Sequence, residues 1–212
     1  MMVKKHTKPV YWDSALKHLH DKDKVLSSII CKYKSGTYLT SSNSTFKTFF
    51  SIIVGQQISI EAANSIEKNI KSNIGSITPN NFLRQSDHDL RRYGLSYRKI
   101  RYIKEIAVLI NDNPSFFRNL RNLKDEDAIA KLSELYGIGL WSAQMFLIFH
   151  YNRQNILPIS DIGLINSFCK NYNVERTLFH STVTKYKKIW DPYCTVATWY
   201  LWRDIDEEVV QY

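Results

Sequence analysis

Asp161 stands in the stretch Ile156-Leu157-Pro158-Ile159-Ser160-Asp161-Ile162-Gly163-Leu164, just after a Pro-containing turn and at or before the first residue of a helix. The dipole and the free N–H groups of a helix start favour an ionised carboxylate there. The same placement describes an ordinary N-cap, and the two roles are compatible. About twenty residues earlier runs Leu132-Ser133-Glu134-Leu135-Tyr136-Gly137-Ile138-Gly139-Leu140-Trp141-Ser142-Ala143-Gln144-Met145-Phe146. Two helices flank a Gly-Ile-Gly turn in which the glycines permit backbone conformations closed to other residues and a close approach to another surface, while Ile138 plugs the space between the helices. Backbone N–H groups at the start of the second helix are then free to hold a phosphate. An ordinary helical hairpin with a glycine turn would read the same way up to that point.

The elements that must position these residues are helices. Trp12, Ala15, Leu16 and Leu19 share one face, and Val25, Leu26, Ile29 and Ile30 share the next, so the first 34 residues read as two helices. Ser35 to Thr45 is rich in Ser, Thr, Asn and Gly and reads as a loop. Phe46, Phe49, Phe50, Ile53 and Val54 recur at helical spacing up to Gly55, and Glu61 to Ile74 follows with Ala62, Ala63, Ile66 and Ile70 inward. Thr78-Pro79 opens a helix, Ser86 to Tyr93 forms a short one ended by Gly94, and Ser96 caps another whose buried stripe is Ile100, Ile103, Ile106, Ala107 and Ile110. Asn111 to Pro114 ends it. Asp125 to Tyr136 leads into the hairpin with Ala128, Ile129, Leu132 and Leu135 inward, the apolar run Trp141 to Phe149 follows, and helices are expected at about 161–172, 180–190 and 193–203. No period-two alternation is sustained. The expected fold is all-α, roughly ten helices in two lobes with a cleft between them: 46–150 as a central lobe ending in the hairpin, and 1–45 with 151–212 as the second.

Composition narrows the partners. The chain has 212 residues, 44% of them hydrophobic, with only 7 Gly and 5 Pro, enough for a sizeable core and unlike a disordered tail. Lys and Arg number 29 against 20 Asp and Glu, a formal charge of +9 that favours a polyanion such as nucleic acid. Cys31, Cys169 and Cys194 form neither a C-x-x-C pair nor a tight cluster, which argues against a disulfide framework, a zinc ribbon or a four-Cys iron–sulfur site. Met1 to Pro9 lacks the apolar centre of a secretory signal, and no apolar run approaches the roughly 20 residues of a membrane span. A soluble protein without membrane association is expected, in the cytoplasm on the nucleoid, or in the nucleus of a eukaryote.

The hairpin and the Asp161 segment together resemble the helix-hairpin-helix, Gly/Pro-rich, aspartate superfamily of base-excision DNA glycosylases. Ile53-Val54-Gly55-Gln56-Gln57-Ile58-Ser59, Gly94-Leu95-Ser96 followed by Lys99, and Trp190-Asp191-Pro192-Tyr193 leading to Ala197 and Trp202 extend the resemblance over about residues 46 to 203. Within the superfamily the set looks like the 3-methyladenine DNA glycosylase II branch. The resemblance implies an enzyme of base excision repair that flips an alkylated purine out of duplex DNA, chiefly 3-methyladenine and also 7-methylguanine or hypoxanthine, and hydrolyses its bond to the sugar.

It also assigns roles. Asp161 matches the catalytic aspartate, whose carboxylate stabilises an oxocarbenium-like sugar or positions water. Trp141 occupies the hairpin position where bifunctional branches carry a nucleophilic Lys; without an amine there, a monofunctional enzyme that leaves an abasic site is expected. Trp141 and Trp202 match pocket aromatics that favour a cationic purine through cation–π stacking, and Met145 stands where a relative has another. Trp141 as plain core is the alternative. Gly137, Ile138 and Gly139 would grip the DNA backbone without reading sequence. At the Gln56-Gln57-Ile58 corner one side chain would fill the gap left by the flipped nucleotide, Gln57 first and Ile58 second. Arg98, Lys99, Arg101 and Lys104 would line the DNA-facing rim or form a solvated face. No organic cofactor is expected. Family hairpins often hold Na+ or K+, here through the carbonyls of Ser133, Leu135 and Ile138. The partner is double-stranded DNA carrying damaged bases, met by a monomer.

Departures from the family pattern are Met145, Cys194 in place of a frequent Arg, and Ser160 where another acidic residue can precede the aspartate. The N-terminal β-rich domain of longer relatives is not expected ahead of the shared core. Two other functions compete. A non-enzymatic helix-hairpin-helix DNA-binding protein would need neither the carboxylate nor the aromatic pocket, and an RNA-binding helical protein would not depend on DNA.

Overall fold

Serine and threonine side chains open most of the central helices, each accepting the backbone N–H three residues on. This satisfies one of the amides that a helix start leaves without a partner. Ser44 caps α3 (Thr45–Gly55), Ser59 caps α4 (Ile60–Ile74), Thr78 caps α5 (Pro79–Leu83), Ser86 caps α6 (Asp87–Arg92) and Ser96 caps α7 (Tyr97–Asp112). They follow α1 (Trp12–Lys22) and α2 (Lys24–Lys32). After them come α8 (Pro114–Leu120), α9 (Asp125–Ser133), α10 (Leu140–Phe149), α11 (Ile162–Tyr172), a 3-10 turn at Arg176–Leu178, α12 (Phe179–Trp190) and α13 (Cys194–Ile205). This computed structural model describes residues 8–33, 37–41 and 44–206, and among them there is no strand. The ends of the expected first helical stretch and loop, at 1–7, 34–36 and 42–43, lie outside the described residues.

The chain forms two compact units, one from the segment up to Ser41 together with the chain from Leu147, the other from Ser42 to Phe146. In the second unit α3 is buried along most of its surface, with Phe46, Phe49, Phe50, Ile52, Ile53 and Val54 all inaccessible and Lys47 exposed. Phe49 stacks on Phe146 with centroids 4.1 Å apart, and α7 packs along α3 and α5. In the first unit α13 plays the same part: every residue from Cys194 to Trp202 is buried. Asp23, 4% exposed, caps α2 through the Val25 and Leu26 amides and also accepts from Tyr172 Oη at 2.6 Å and Trp190 Nε1 at 2.8 Å. Four donors on one carboxylate offset its burial and tie the α1–α2 pair to α11 and α12.

Three local expectations differ from the structure. Ala62 is exposed, because only Ile70 of α4 is buried. The helix expected to run to Tyr136 stops at Ser133, so the hairpin turn spans 134–139. The sequence marks the α8 segment only as the end of α7; its Phe117 and Leu120 are buried, and a seven-residue helix is held by that tertiary contact rather than by its own periodicity. No helix of the described residues is long and apolar enough to cross a membrane.

Candidate active site and nucleic-acid interface

The carboxylate is placed by a short covalent lead and two hydrogen bonds. Asp161 has extended dihedrals, φ −74° and ψ 124°, and caps α11: Leu164 N–H donates to its Oδ1 at 2.7 Å. Trp202, from α13, donates its indole Nε1–H to the same oxygen at 2.8 Å. Both bonds converge on Oδ1 and hold that oxygen between α11 and α13. The Trp202 ring is stacked on Phe149, centroids 5.8 Å apart and 11° between planes, so its donor cannot turn away. Asp161 itself is partly exposed, with exposed Ile159 and Ile162 on either side in sequence.

Gly163 belongs to this arrangement, although nothing in its sequence context signals a role. A Cβ at 163 would stand 3.1 Å from Asp161 Oδ1 and 3.1 Å from Trp202 Cδ1, tighter than side chains normally pack, so glycine leaves room for the carboxylate–indole contact. The segment entering the site is clamped from α13 and from the end of α12 as well. Thr195 Oγ1 donates to Arg153 O at 2.6 Å and accepts from Ile156 N at 2.9 Å, and Asn155 Nδ2 donates to Asp191 Oδ1 at 2.6 Å. Thr195 is a polar residue in an apolar stretch, which is the only signal the sequence carries for it, and Asn155 lies in a polar turn that carries none. Cys194 opens α13 fully buried, and burial pushes its thiol up to about 12, leaving it protonated and inert.

In the other unit the hairpin joins α9 to α10. Gly137 has φ +83°, the left-handed region, and a Cβ there would fall inside the Tyr102 ring; this glycine is demanded by both backbone and packing. Gly139 differs: an added Cβ would meet open space. Ile138 is buried, the plug its sequence suggested. Arg101 lies with its guanidinium 4.4 Å from the centre of the exposed Tyr136 ring at the turn, and Arg98 is exposed on the same helix. Of the carbonyls assigned to a monovalent cation, that of Leu135 accepts Ile138 N–H at 3.0 Å and retains a second lone pair, and Ser133 ends α9, where carbonyls lack helical partners. Neutral oxygens of this kind fit a hard monovalent ion.

The glutamine corner divides its two residues. Gln56 turns its amide back into the protein, Nε2 donating to Gly137 O at 3.1 Å and to Ser142 Oγ at 2.9 Å. Gln57 is exposed and has φ +59°, and Ile58 beside it is 38% exposed. Lys99, expected on the DNA-facing rim, is half-buried and directs its ammonium to the end of α3. Its ammonium donates to Val54 O at 2.7 Å and Gln56 O at 2.8 Å, the carbonyl end of α3, and burial lowers its pKa from the ordinary lysine value. Lys104 is likewise committed, to Gln85 O at 3.0 Å and to Asp87. Met145, expected in the base pocket, is 1% exposed and presents no surface to an incoming base. Trp141 begins α10 half-buried, whereas Trp202 is 8% exposed with Phe149 against its ring, so its visible task is to hold Asp161 rather than to offer a free face for stacking.

Comparison with known proteins identifies the family. The family model described as HhH-GPD superfamily base excision DNA repair protein matches residues 50–192. DNA-3-methyladenine glycosylase 1 of Schizosaccharomyces pombe is 32% identical over 71% of this chain and 68% of its own. Among solved structures, DNA-3-methyladenine glycosidase from Bacillus halodurans is similar with a TM-score of 0.72 and 31% identity, covering 89% of this chain and 88% of its own. The Schizosaccharomyces pombe 3-methyladenine DNA glycosylase Mag1, in complex with abasic DNA, is similar with a TM-score of 0.73 and 26% identity, covering 90% and 95%.

Proposed function

Because this chain belongs to the HhH-GPD superfamily of base excision DNA repair proteins, we propose that it is a monofunctional DNA-3-methyladenine glycosylase acting as a monomer on double-stranded DNA. The observation that carries the proposal is the Asp161 carboxylate, fixed through Oδ1 at the start of α11 by Leu164 and Trp202 and still partly exposed. A non-enzymatic DNA clamp would use that carboxylate only as the N-cap of α11 and would not need it exposed.

The reaction breaks the bond between the sugar C1′ and the purine nitrogen, and the electron pair leaves with the base. An alkylated purine already carries positive charge and departs neutral, so no strong general acid is needed. Positive charge moves to the sugar, where the Asp161 carboxylate stabilises it. Water then forms the new bond at C1′, and its proton passes to the carboxylate or to solvent. Trp141 supports the monofunctional reading, since an indole cannot form the Schiff base that an amine would form with the sugar. The hairpin and the exposed Arg98 and Arg101 would contact phosphates, with Gln57 or Ile58 entering the vacated stack. A cation at the Ser133, Leu135 and Ile138 carbonyls would add positive charge beside the phosphate.

Incubation with methylated duplex DNA is expected to release free 3-methyladenine, to leave abasic sites in unnicked strands, and to give no covalent adduct on borohydride treatment. Absence of free base would overturn the activity, and a strong trapped adduct would mean that another amine acts as nucleophile. Trp202→Phe keeps the stack on Phe149 but removes one donor to a charged acceptor, an interaction worth about 1.5–3 kcal/mol. Its release rate should fall roughly 10- to 100-fold with DNA affinity nearly unchanged. A wild-type rate in single-turnover measurements would show that the indole N–H does not orient the carboxylate.

A further inference from the structure

The corner that carries Gln57 is held by residues distant from it in sequence. Gln57 has φ +59°, a conformation that residues other than glycine, asparagine and aspartate seldom keep without outside support, and its side chain is exposed. Support comes from two directions. Lys99, on α7, donates one ammonium to Val54 O and Gln56 O and so fixes the peptide group immediately before Gln57. Gln56 spans to the hairpin, its amide donating both to Gly137 O in the left-handed turn and to Ser142 Oγ in the first turn of α10. Four hydrogen bonds thus join the end of α3, the start of α7 and the hairpin.

We infer that Lys99 and Gln56 are positioning residues that lock the exposed Gln57 corner to the hairpin, so that gripping the phosphate and wedging the duplex open occur on one rigid piece. The inference rests on the glycosylase reading. Neither residue needs to touch DNA. Their energy enters only where the wedge is needed, in replacing the stacking and pairing lost when a base leaves the helix. A lesion that is already mispaired is partly unstacked and draws less on the lock.

The test is a comparison of substrates. A methylated oligonucleotide is annealed either to its complement or to a strand that mispairs its adenines, and release of 3-methyladenine is followed under single-turnover conditions. Gln56→Glu keeps the shape but loses both donors, and Lys99→Met keeps the stem but loses the ammonium. For each, the ratio of the paired rate to the mispaired rate is expected to fall about tenfold relative to wild type, since extrusion is costliest from an intact pair. Lys99→Arg, which restores donors for the two carbonyls, should bring the ratio back to within about threefold. Circular dichroism and the melting temperature report whether each variant is folded. Should a variant lose activity on both substrates in equal proportion, or on neither, the locking role is overturned. Where the Met variant does not fold, Gln56→Glu decides the question by the same ratio. Wild-type protein that releases no base from either substrate overturns the glycosylase reading itself, a result distinct from an unchanged ratio.

Discussion

Asp161→Asn is expected to end base release while leaving a folded protein that still binds duplex DNA. The substitution is nearly isosteric, and asparagine is as good an N-cap as aspartate. Its carbonyl oxygen can keep accepting from Leu164 N and Trp202 Nε1, so the geometry at the head of α11 survives. What goes is the negative charge, the one feature that stabilises a sugar turning cationic. Loss of a single preorganised electrostatic group from a site of this kind costs on the order of 10²–10³ in rate. Single-turnover release of 3-methyladenine from methylated DNA should therefore fall by at least about 100-fold, with affinity measured by fluorescence anisotropy within about threefold of wild type. Equal release by the two proteins would remove Asp161 from the mechanism.

Gly137→Ala should be the most damaging single-atom change in the hairpin. The φ of +83° costs an L residue roughly 1–2 kcal/mol, and the new methyl would occupy the space of the Tyr102 ring, an overpacking worth about 1–3 kcal/mol more. Tyr102 in turn packs edge-on against Tyr136, centroids 5.0 Å apart, so a displaced ring disturbs the turn itself. At roughly 2–4 °C per kcal/mol for a chain of this size, the melting temperature should drop about 4–20 °C. DNA affinity should fall at least tenfold, because the Gln56 bond to Gly137 O and the turn's N–H groups move together. Gly139→Ala is the control. Its methyl would meet nothing within the protein, so the melting temperature should hold within about 2 °C. If the turn meets a DNA backbone, affinity should nonetheless fall. A Gly137→Ala protein that melts with wild type would show that the Tyr102 contact is not what closes the hairpin.

Some of this is open to inspection in the amino-acid order alone. Ser44, Ser59, Thr78, Ser86 and Ser96 cap their helices by bonds that reach only three residues, and the apolar periodicity of α1, α2, α3 and α7 marks most of the residues that the fold buries, with Leu16, Val25 and Ile110 of the expected stripes only half-buried. Asp161 as an N-cap and Ile138 as a plug are legible for the same reason: each depends on chain geometry within a single turn or hairpin. Helix α8 is not, since a short apolar stretch becomes helical only when Phe117 and Leu120 have a core to enter.

The tertiary structure alone decided which donor meets which acceptor. The Trp202 indole reaches Asp161 across 41 residues, Lys99 reaches Gln56 O across 43, and Gln56 reaches Gly137 O across 81. From sequence Lys99 reads as a surface cation, Gln56 as an exposed amide and Trp202 as a stacking ring, because residue type announces the capacity to donate but not the target. Periodicity and capping are written in neighbours and survive in a linear text. The partner of a polar side chain is chosen by how helices settle against each other, and a shift of one helical turn, about 5.4 Å, would carry any of these donors beyond hydrogen-bond reach.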